Sequence, residues 1–411
     1  MDPGRPALRP ALPVSSPVPS SAVPPGALRS GPVAAVTLWW GGRSGLQAAI
    51  LALVLLGGFL LGSNTLANME RFGITPGFAF LGRPAGFEIG EALLDYRPQD
   101  SYALALLVGL LNTVKVALAG CLIATVLGVL LGVARLSGNA LLSGLVQGYV
   151  ELVRSTPLLL QLFFWSATFQ ALPSPRQALN PLPGVFLCNR GIQLPAFADG
   201  RAGGWLLAAI ALALALALAG TVLRRRLGRR DALSGLSVAA AACGLPAALL
   251  LASGAPLQVE VPELAGFNFS GGTTVSPEFS ALLVGLVVNA AAMIAEIVRS
   301  GIQAVPAGQW EAARALGLPR HRIMRLVVLP QAMRVIVPLL TSSYLNLTKN
   351  SSLAVAIGFP DLVSVINTSA NQTGQVLETM AIMMGAYLTV NLAVSAAMNL
   401  YNRRLAARGA R

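Results

Sequence analysis

Apolar residues run in long blocks along this chain, and polar positions gather in short clusters between them. A helix rising about 1.5 Å per residue needs roughly 18 mostly apolar residues to cross a hydrocarbon core of about 30 Å. Eight stretches approach or meet that requirement, near residues 45 to 62, 109 to 134, 156 to 172, 204 to 222, 234 to 253, 279 to 299, 333 to 356 and 377 to 400. The third is short and polar residues interrupt the seventh, whereas the fourth, GWLLAAIALALALALAGTV, carries no charge at all. The pattern predicts an all-α integral membrane protein of about eight transmembrane helices.

Composition agrees with the pattern. Charged residues make up 11% of the 411 and hydrophobic ones 55%, with a mean hydropathy of +0.68. A soluble domain carries about 25% charged residues. The net charge of +13 gains meaning from where it falls. Arg224, Arg225, Arg226, Arg229 and Arg230 follow the fourth stretch, Arg314, Arg320, Arg322 and Arg325 the sixth, and Arg403, Arg404, Arg408 and Arg411 the eighth. Each basic group comes after an even-numbered crossing, so a cytoplasmic N-terminus puts them all inside, as the positive-inside rule requires. Residues 254 to 278 and 357 to 376 hold Glu260, Glu263, Glu278 and Asp361 without a Lys or Arg, and are expected to face outward. Membrane orientation accounts for the charge; no basic face interleaved with aromatics stands apart to bind nucleic acid.

Residues 1 to 38 are rich in Pro, Ser, Ala and Gly and read as a disordered cytoplasmic tail, too long and irregular for the start of a signal peptide. Cys121, Cys188 and Cys243 are scattered and outline neither a disulfide framework nor a metal site. The single histidine, His321, rules out HExxH and Ser-His-Asp chemistry, and neither Lys115 nor Lys349 follows a glycine as a P-loop lysine does. No catalytic residue and no cofactor is expected in this chain.

Ionisable residues inside a span cost roughly 2.5–3.5 kcal/mol at the helix centre, so each asks for a role. Lys115, Glu296, Arg299, Lys349 and Glu378 are the candidates. Glu296 and Arg299 are spaced for an ion pair one helical turn apart, and Glu378 lies near a helix end. Lys349 stands in YLNLTKNSSLAV, where Asn346, Thr348, Asn350, Ser351 and Ser352 break an apolar helix. That face either lines a wet pathway or binds a neighbouring subunit.

Between the sixth and seventh stretches lies EAARALGLPRHRIMRLVVLPQA, residues 311 to 332. QWEAARAL favours helix, Gly317 supplies a C-terminal break, and Pro319 suits the first turn of a second helix. Trp310, Ala313 and Leu316 recur at three-residue spacing beside a polar side of Glu311 and Arg314, giving a ridge that fits a groove on another protein.

Glu311, Ala312, Ala313, then Gly317, then Leu329 and Pro330 resemble the EAA signature of ABC importer permeases. YVELVRSTPLLLQLFF, the run from 276 to 318 and NLTKNSSLAVAIGFPDL are similar to polar-amino-acid permeases of the histidine, glutamine and glutamate type. The resemblance implies a type I ABC importer permease core of five helices, plus one N-terminal and two inserted helices as in longer permeases for general L-amino acids. Its domains are then the tail 1–38, an extra span and outward loop 39–110, core 111–172, an insertion 173–275, core 276–405 with the EAA coupling loop at 300–332, and a basic tail 406–411. The implied partners are a dimer of ABC ATPase subunits that bind ATP and Mg, a second, sister permease, and an extracytoplasmic amino-acid-binding protein. Glu311, Ala312, Ala313, Gly317 and Pro330 become the ATPase-coupling residues. Asn289, Glu296, Asn346, Lys349 and Asn350 become candidates for the translocation pathway; Asn289 and Ala290 stand where many relatives carry Tyr-Thr. The rival reading is an ion-coupled secondary transporter, which would give the EAA loop no purpose and is expected to show internal repeats that are absent here.

Overall fold

The computed structural model describes residues 44–71, 77–197 and 259–408. The tail 1–38, the expected spans at 204–222 and 234–253, the arginine run 224–230 and Cys243 lie outside the described residues. The chain separates into two units, Met1–Thr75 and Pro76–Arg411. In the first, helix α1 (Ser44–Arg71) contains an apolar stretch, Gly45–Thr65, long enough to cross a membrane. Leu53, Phe59 and Leu61 are exposed on different sides of it, as on a helix whose solvent is lipid.

The second unit is built on four long helices. They are α2 (Tyr102–Arg135), α5 (Pro277–Gln303), α8 (Leu329–Asn350) and α10 (Val376–Arg408), with α3 (Ala140–Ser155) and α4 (Leu158–Gln170) following α2. With α1, the described residues hold five helices long and apolar enough to span. The expected span at 156–172 is a helix of only 13 residues, about 20 Å long. Thr156 and Pro157 separate it from α3, because the residue before a proline is driven out of the helical region. α3 itself is amphipathic and was not expected.

The termini follow local chemistry. The Ser101 hydroxyl caps α2 by accepting from the Leu104 amide at 3.4 Å. Ser276 caps α5 in the same way, accepting from Phe279 N at 3.1 Å, with Pro277 and Glu278 in the first turn.

α5 is the central helix: 61% of its apolar window is buried, against 33% for α2 and none for α10. Its contact with α2 depends on small residues. A Cβ placed on Gly128 would fall 2.6 Å from the Ile294 Cβ and 3.0 Å from the Ala291 carbonyl oxygen. One placed on Gly132 would lie 2.8 Å from both the Ala295 carbonyl oxygen and the Val298 Cβ. Gly128 and Gly132 on α2 thus face Ala291 and Ala295 on α5, two four-residue steps of small side chains that bring the backbones together where lipid supplies no hydrophobic drive.

The margins of the 173–275 region correct an all-helical expectation there. The strands β1 (Leu179–Leu182), β2 (Val185–Cys188), β3 (Gly191–Leu194), β4 (Ala196–Phe197), β5 (Val259–Glu260), β6 (Glu263–Ala265), β7 (Asn268–Ser270) and β8 (Thr273–Val275) are short. They pair antiparallel as β1-β2-β3-β8, β4-β5 and β6-β7. None exceeds four residues, too short to leave an alternating pattern. β8 runs straight into the Ser276 cap of α5, which fixes the sheet to one end of the bundle.

Gly128→Leu is expected to destabilise the chain by about 1–3 kcal/mol through overpacking, read as a lowered Tm in detergent. Gly144→Ala on α3, where a Cβ meets nothing within 4 Å, is expected to be neutral or stabilising by up to about 1 kcal/mol. Equal effects at the two positions would contradict the packing account.

Candidate functional site

The loop after α5 is a helix held on a rigid base. Helix α6 (Ala307–Ala315) starts after Pro306 and ends where Gly317 takes φ +70°. There the Gly317 amide donates to Arg314 O at 2.9 Å and the Leu318 amide to Ala313 O at 3.3 Å. This is the paired bonding of a Schellman end, which glycine adopts without strain. Pro319, in extended backbone, then precedes α7 (Arg320–Ile323) without capping it. A π-turn over Met324–Val328 leads into α8, two residues ahead of Pro330. Pro330 has no amide to offer the preceding turn, and the wider π-turn takes up the mismatch without breaking the helix.

The side chains of α6 sort differently from the three-residue ridge expected for them. Ala313 is only 3% exposed, packed in one cluster with Val305, Ile323, Val328 and Ala332, and Trp310 is half-buried against the same cluster. Leu316, by contrast, is 79% exposed. Ala313 therefore anchors the loop from beneath, while Glu311, Ala312, Ala315 and Leu316 form the exposed face. Which face of α6 is buried was decided by α7 and α8 folding back under it, a contact that periodicity within one short helix does not encode. Gln331 ties the layers from the side, donating to Gln309 Oε1 at 3.2 Å and to Val327 O at 3.0 Å.

A cavity of about 250 Å³ lies between α5, α8 and the end of α3. Asn289 and Glu296 line it from α5, and Asn346 and Asn350 from α8, so four of the five pathway candidates come together. Lys349 does not line it; its side chain is exposed and has no ion-pair partner among the described residues. Arg154, Ser342 and Ser343 also line the cavity and were not expected. The four-residue spacing of Ser342, Asn346 and Asn350 was a signal that could have found the serine.

Three of the other intramembrane candidates, Glu296, Arg299 and Lys115, are ion-paired. Glu296 bridges Arg299, whose Nε donates at 3.0 Å, and Arg135 at the end of α2. Arg299 also donates to Gln303. Lys115 pairs with Glu91 and sits 4.3 Å from the Phe279 ring centre. The Ser276 hydroxyl donates to the other Glu91 oxygen at 2.6 Å. Glu378 accepts from the Gly77 amide at 2.8 Å. Among the described residues, no group of His, Cys, Asp and Glu side chains is arranged to hold a metal.

At the sheet end, Asp361 caps helix α9 (Leu362–Thr373) by accepting from Ser364 N at 2.9 Å. Its second oxygen is buried without a partner. Burial pushes this carboxyl, which lies outside the spans, up to about 7, against the lowering effect of the backbone bonds it accepts. Asn112, 0% exposed, reaches across to the Glu91 and Pro360 carbonyls at 2.7 and 2.9 Å.

Membrane-length helices with a polar cavity between two of them, and a short helix packed on the loop that joins those two, form the frame of a membrane transport subunit. Comparisons with known proteins make this specific. The model of the family described as binding-protein-dependent transport system inner membrane component matches residues 264–407. The permease protein YhdX of Escherichia coli is 46% identical over 87% of this chain and 92% of its own. The general L-amino acid transport system permease protein AapQ of Rhizobium johnstonii is 44% identical over 87% and 91%. The glutamate/glutamine/aspartate/asparagine transport system permease protein BztB of Rhodobacter capsulatus is 38% identical over 88% and 92%. The chain belongs to the family of amino-acid ABC transporter permeases. It is a non-catalytic, multi-pass inner-membrane subunit of an importer whose ATPase is a separate subunit.

Asp361 sets a pH dependence. A carboxyl raised in the folded state holds its proton more tightly there, so the stability it contributes falls as pH rises from about 4, the unfolded value, to about 7, the folded one. Asp361→Asn keeps the capping oxygen and cannot ionise. Its Tm relative to wild type is expected to rise across that window; a difference constant with pH would refute the assignment.

Proposed function

We propose that this chain forms one half of the channel of an importer for polar L-amino acids, paired with a sister permease and driven by a dimer of ABC ATPase subunits. The reading of solute class follows the names of the relatives. The termini face the cytoplasm in this reading, which follows the even-numbered placement of the basic groups. Residues 111–172 and 276–405 serve as the permease core, and the 173–275 insertion as an addition to it.

The observation that carries the coupling role is the exposed face of α6 on its buried anchor. Glu311, with Ala312 beside it, contacts the ATPase surface, small Ala312 permitting close approach. Ala313, Gly317 and Pro330 act from below: the first by packing, the second by ending the helix, the third by joining the loop to α8. Closure of the two ATPase subunits on ATP displaces α6, and α5 and α8 follow because they share its core. The cavity lies between those two helices, so its walls shift with them, and Asn289, Asn346 and Asn350 offer neutral donors and acceptors to a passing zwitterion. Glu296, with its charge balanced by Arg135 and Arg299, holds the walls of that pathway.

The test is co-purification of the ATPase with the tagged chain in mild detergent. Wild type is expected to carry the ATPase. Glu311→Lys, on the exposed face, is expected to lose at least about tenfold of it, a cost of about 1.4 kcal/mol. Gly317→Pro, incompatible with a positive φ, is expected to do the same. Full ATPase retention by Glu311→Lys, in a chain that still elutes as a folded species, would overturn the coupling role.

A further inference from the structure

Beside α6 lies a second cavity, of about 500 Å³, whose lining includes Leu136, Ile302, Gln303, Trp310, Arg314 and Arg320. Its polar side chains are mainly donors. Arg314 and Arg320 offer guanidinium donors and have no ion-pair partner among the described residues. The Gln303 carbonyl oxygen is occupied by Arg299, which leaves its amide hydrogens for the cavity. Trp310 has only an indole N–H to give. No Asp or Glu lines the space. A pocket of donors with two uncompensated positive charges is built for an anion.

The floor is apolar and lies where two spans end. Leu136 directly follows the last residue of α2, and Ile302 lies in the last turn of α5. A tryptophan at that level is the usual interfacial anchor. Ile302 also lines a third cavity, of about 430 Å³, whose other walls include Val129, Val133, Met333, Leu340 and Met398. Apart from Thr125 and the two tyrosines, Tyr344 and Tyr401, every residue lining it is aliphatic or Met. Val133 is 54% exposed at its mouth, on the side where α2 meets lipid. A donor-lined pocket at the ends of two spans meets an apolar groove along them, and the two share one side chain, Ile302.

We propose that these two cavities together bind one anionic phospholipid, its phosphate between Arg314 and Arg320 and an acyl chain in the groove between α2, α5, α8 and α10. A free phosphate ion would use the same donors but leave the groove empty. The bound lipid touches α5, α6 and α7 at once, and so braces the coupling loop against the ends of the spans. Arg314 lies one turn from Glu311 on α6, whereas Arg320 and the groove lie off that helix, and the site does not depend on which solute the importer carries.

The test uses the complete transporter, purified with its ATPase and placed in nanodiscs of phosphatidylcholine with a minor share of phosphatidylglycerol. Retained lipid is counted by native mass spectrometry after release from the disc. Wild type is expected to retain phosphatidylglycerol over phosphatidylcholine by on the order of tenfold, as two interfacial arginines imply. Arg314→Gln with Arg320→Gln is expected to abolish that preference, and Arg314→Lys with Arg320→Lys to keep most of it. Val133→Trp, which fills the groove without touching the charges, is expected to lower retention. Equal retention of the two lipids by wild type overturns the proposal without recourse to any variant. Displacement of phosphatidylglycerol by millimolar inorganic phosphate, with no effect of Val133→Trp, assigns the cavity to a soluble ion and overturns it as well.

Discussion

The close approach of α2 and α5 is the constraint on which the rest of this fold depends. Two helices in lipid gain no hydrophobic free energy by meeting, so they must gain from contact, and contact at this distance requires that Gly128 and Gly132 have no side chains. That approach brings Arg135, at the end of α2, to Glu296 on α5, across 161 residues of chain. It also leaves the opposite side of α5 free to face α8, where Asn289 and Glu296 meet Asn346 and Asn350 across a cavity. A polar cavity between spans needs walls that do not collapse onto each other, and here one wall is held from behind by backbone packing.

The loop between α5 and α8 extends this frame. The cluster that buries Ala313 continues without a break through Val305, Ile323, Val328 and Ala332 to Ile294, Ile336 and Leu347 within the spans. A push on α6 reaches the spans through these contacts. The Schellman end at Gly317 and the π-turn before Pro330 add to this, because each closes backbone bonds at a place where a chain would otherwise fray. Packed interiors transmit displacement because they are dense. The geometry thus favours a loop that moves with α5 and α8 over one that flexes between them.

Much of this was legible in the residues. Five span positions among the described residues followed from apolar runs alone, and the loop followed from Glu311, Gly317 and Pro330, since each of those types performs a local backbone or charge task. What escaped depended on distance along the chain. Arg135 and Arg154 show no sign in the sequence that they approach Glu296 or its cavity. Ala313 looked like part of an outer ridge because three-residue spacing defines a face without saying which way the face points. The strands between Leu179 and Val275 were invisible because two to four residues leave no period. Lys349, the most conspicuous intramembrane charge in the sequence, does not line the cavity at all. A costly residue marks a helix face, and only the neighbouring helices decide what that face meets.

The central claim is that α6 moves as one body with the spans that carry it. Paired spin labels at Ala315, on the exposed face of α6, and at Leu122, exposed to lipid on α2, measure it directly in the assembled transporter, with the native cysteines replaced. The account predicts the same distance distribution within this chain in the nucleotide-free and ATP-trapped states, while the distance from Ala315 to a label on the opposing permease changes. A shift of the Ala315 to Leu122 distance on ATP binding would show the loop bending away from its own frame, and the account of coupling through a shared core would be wrong.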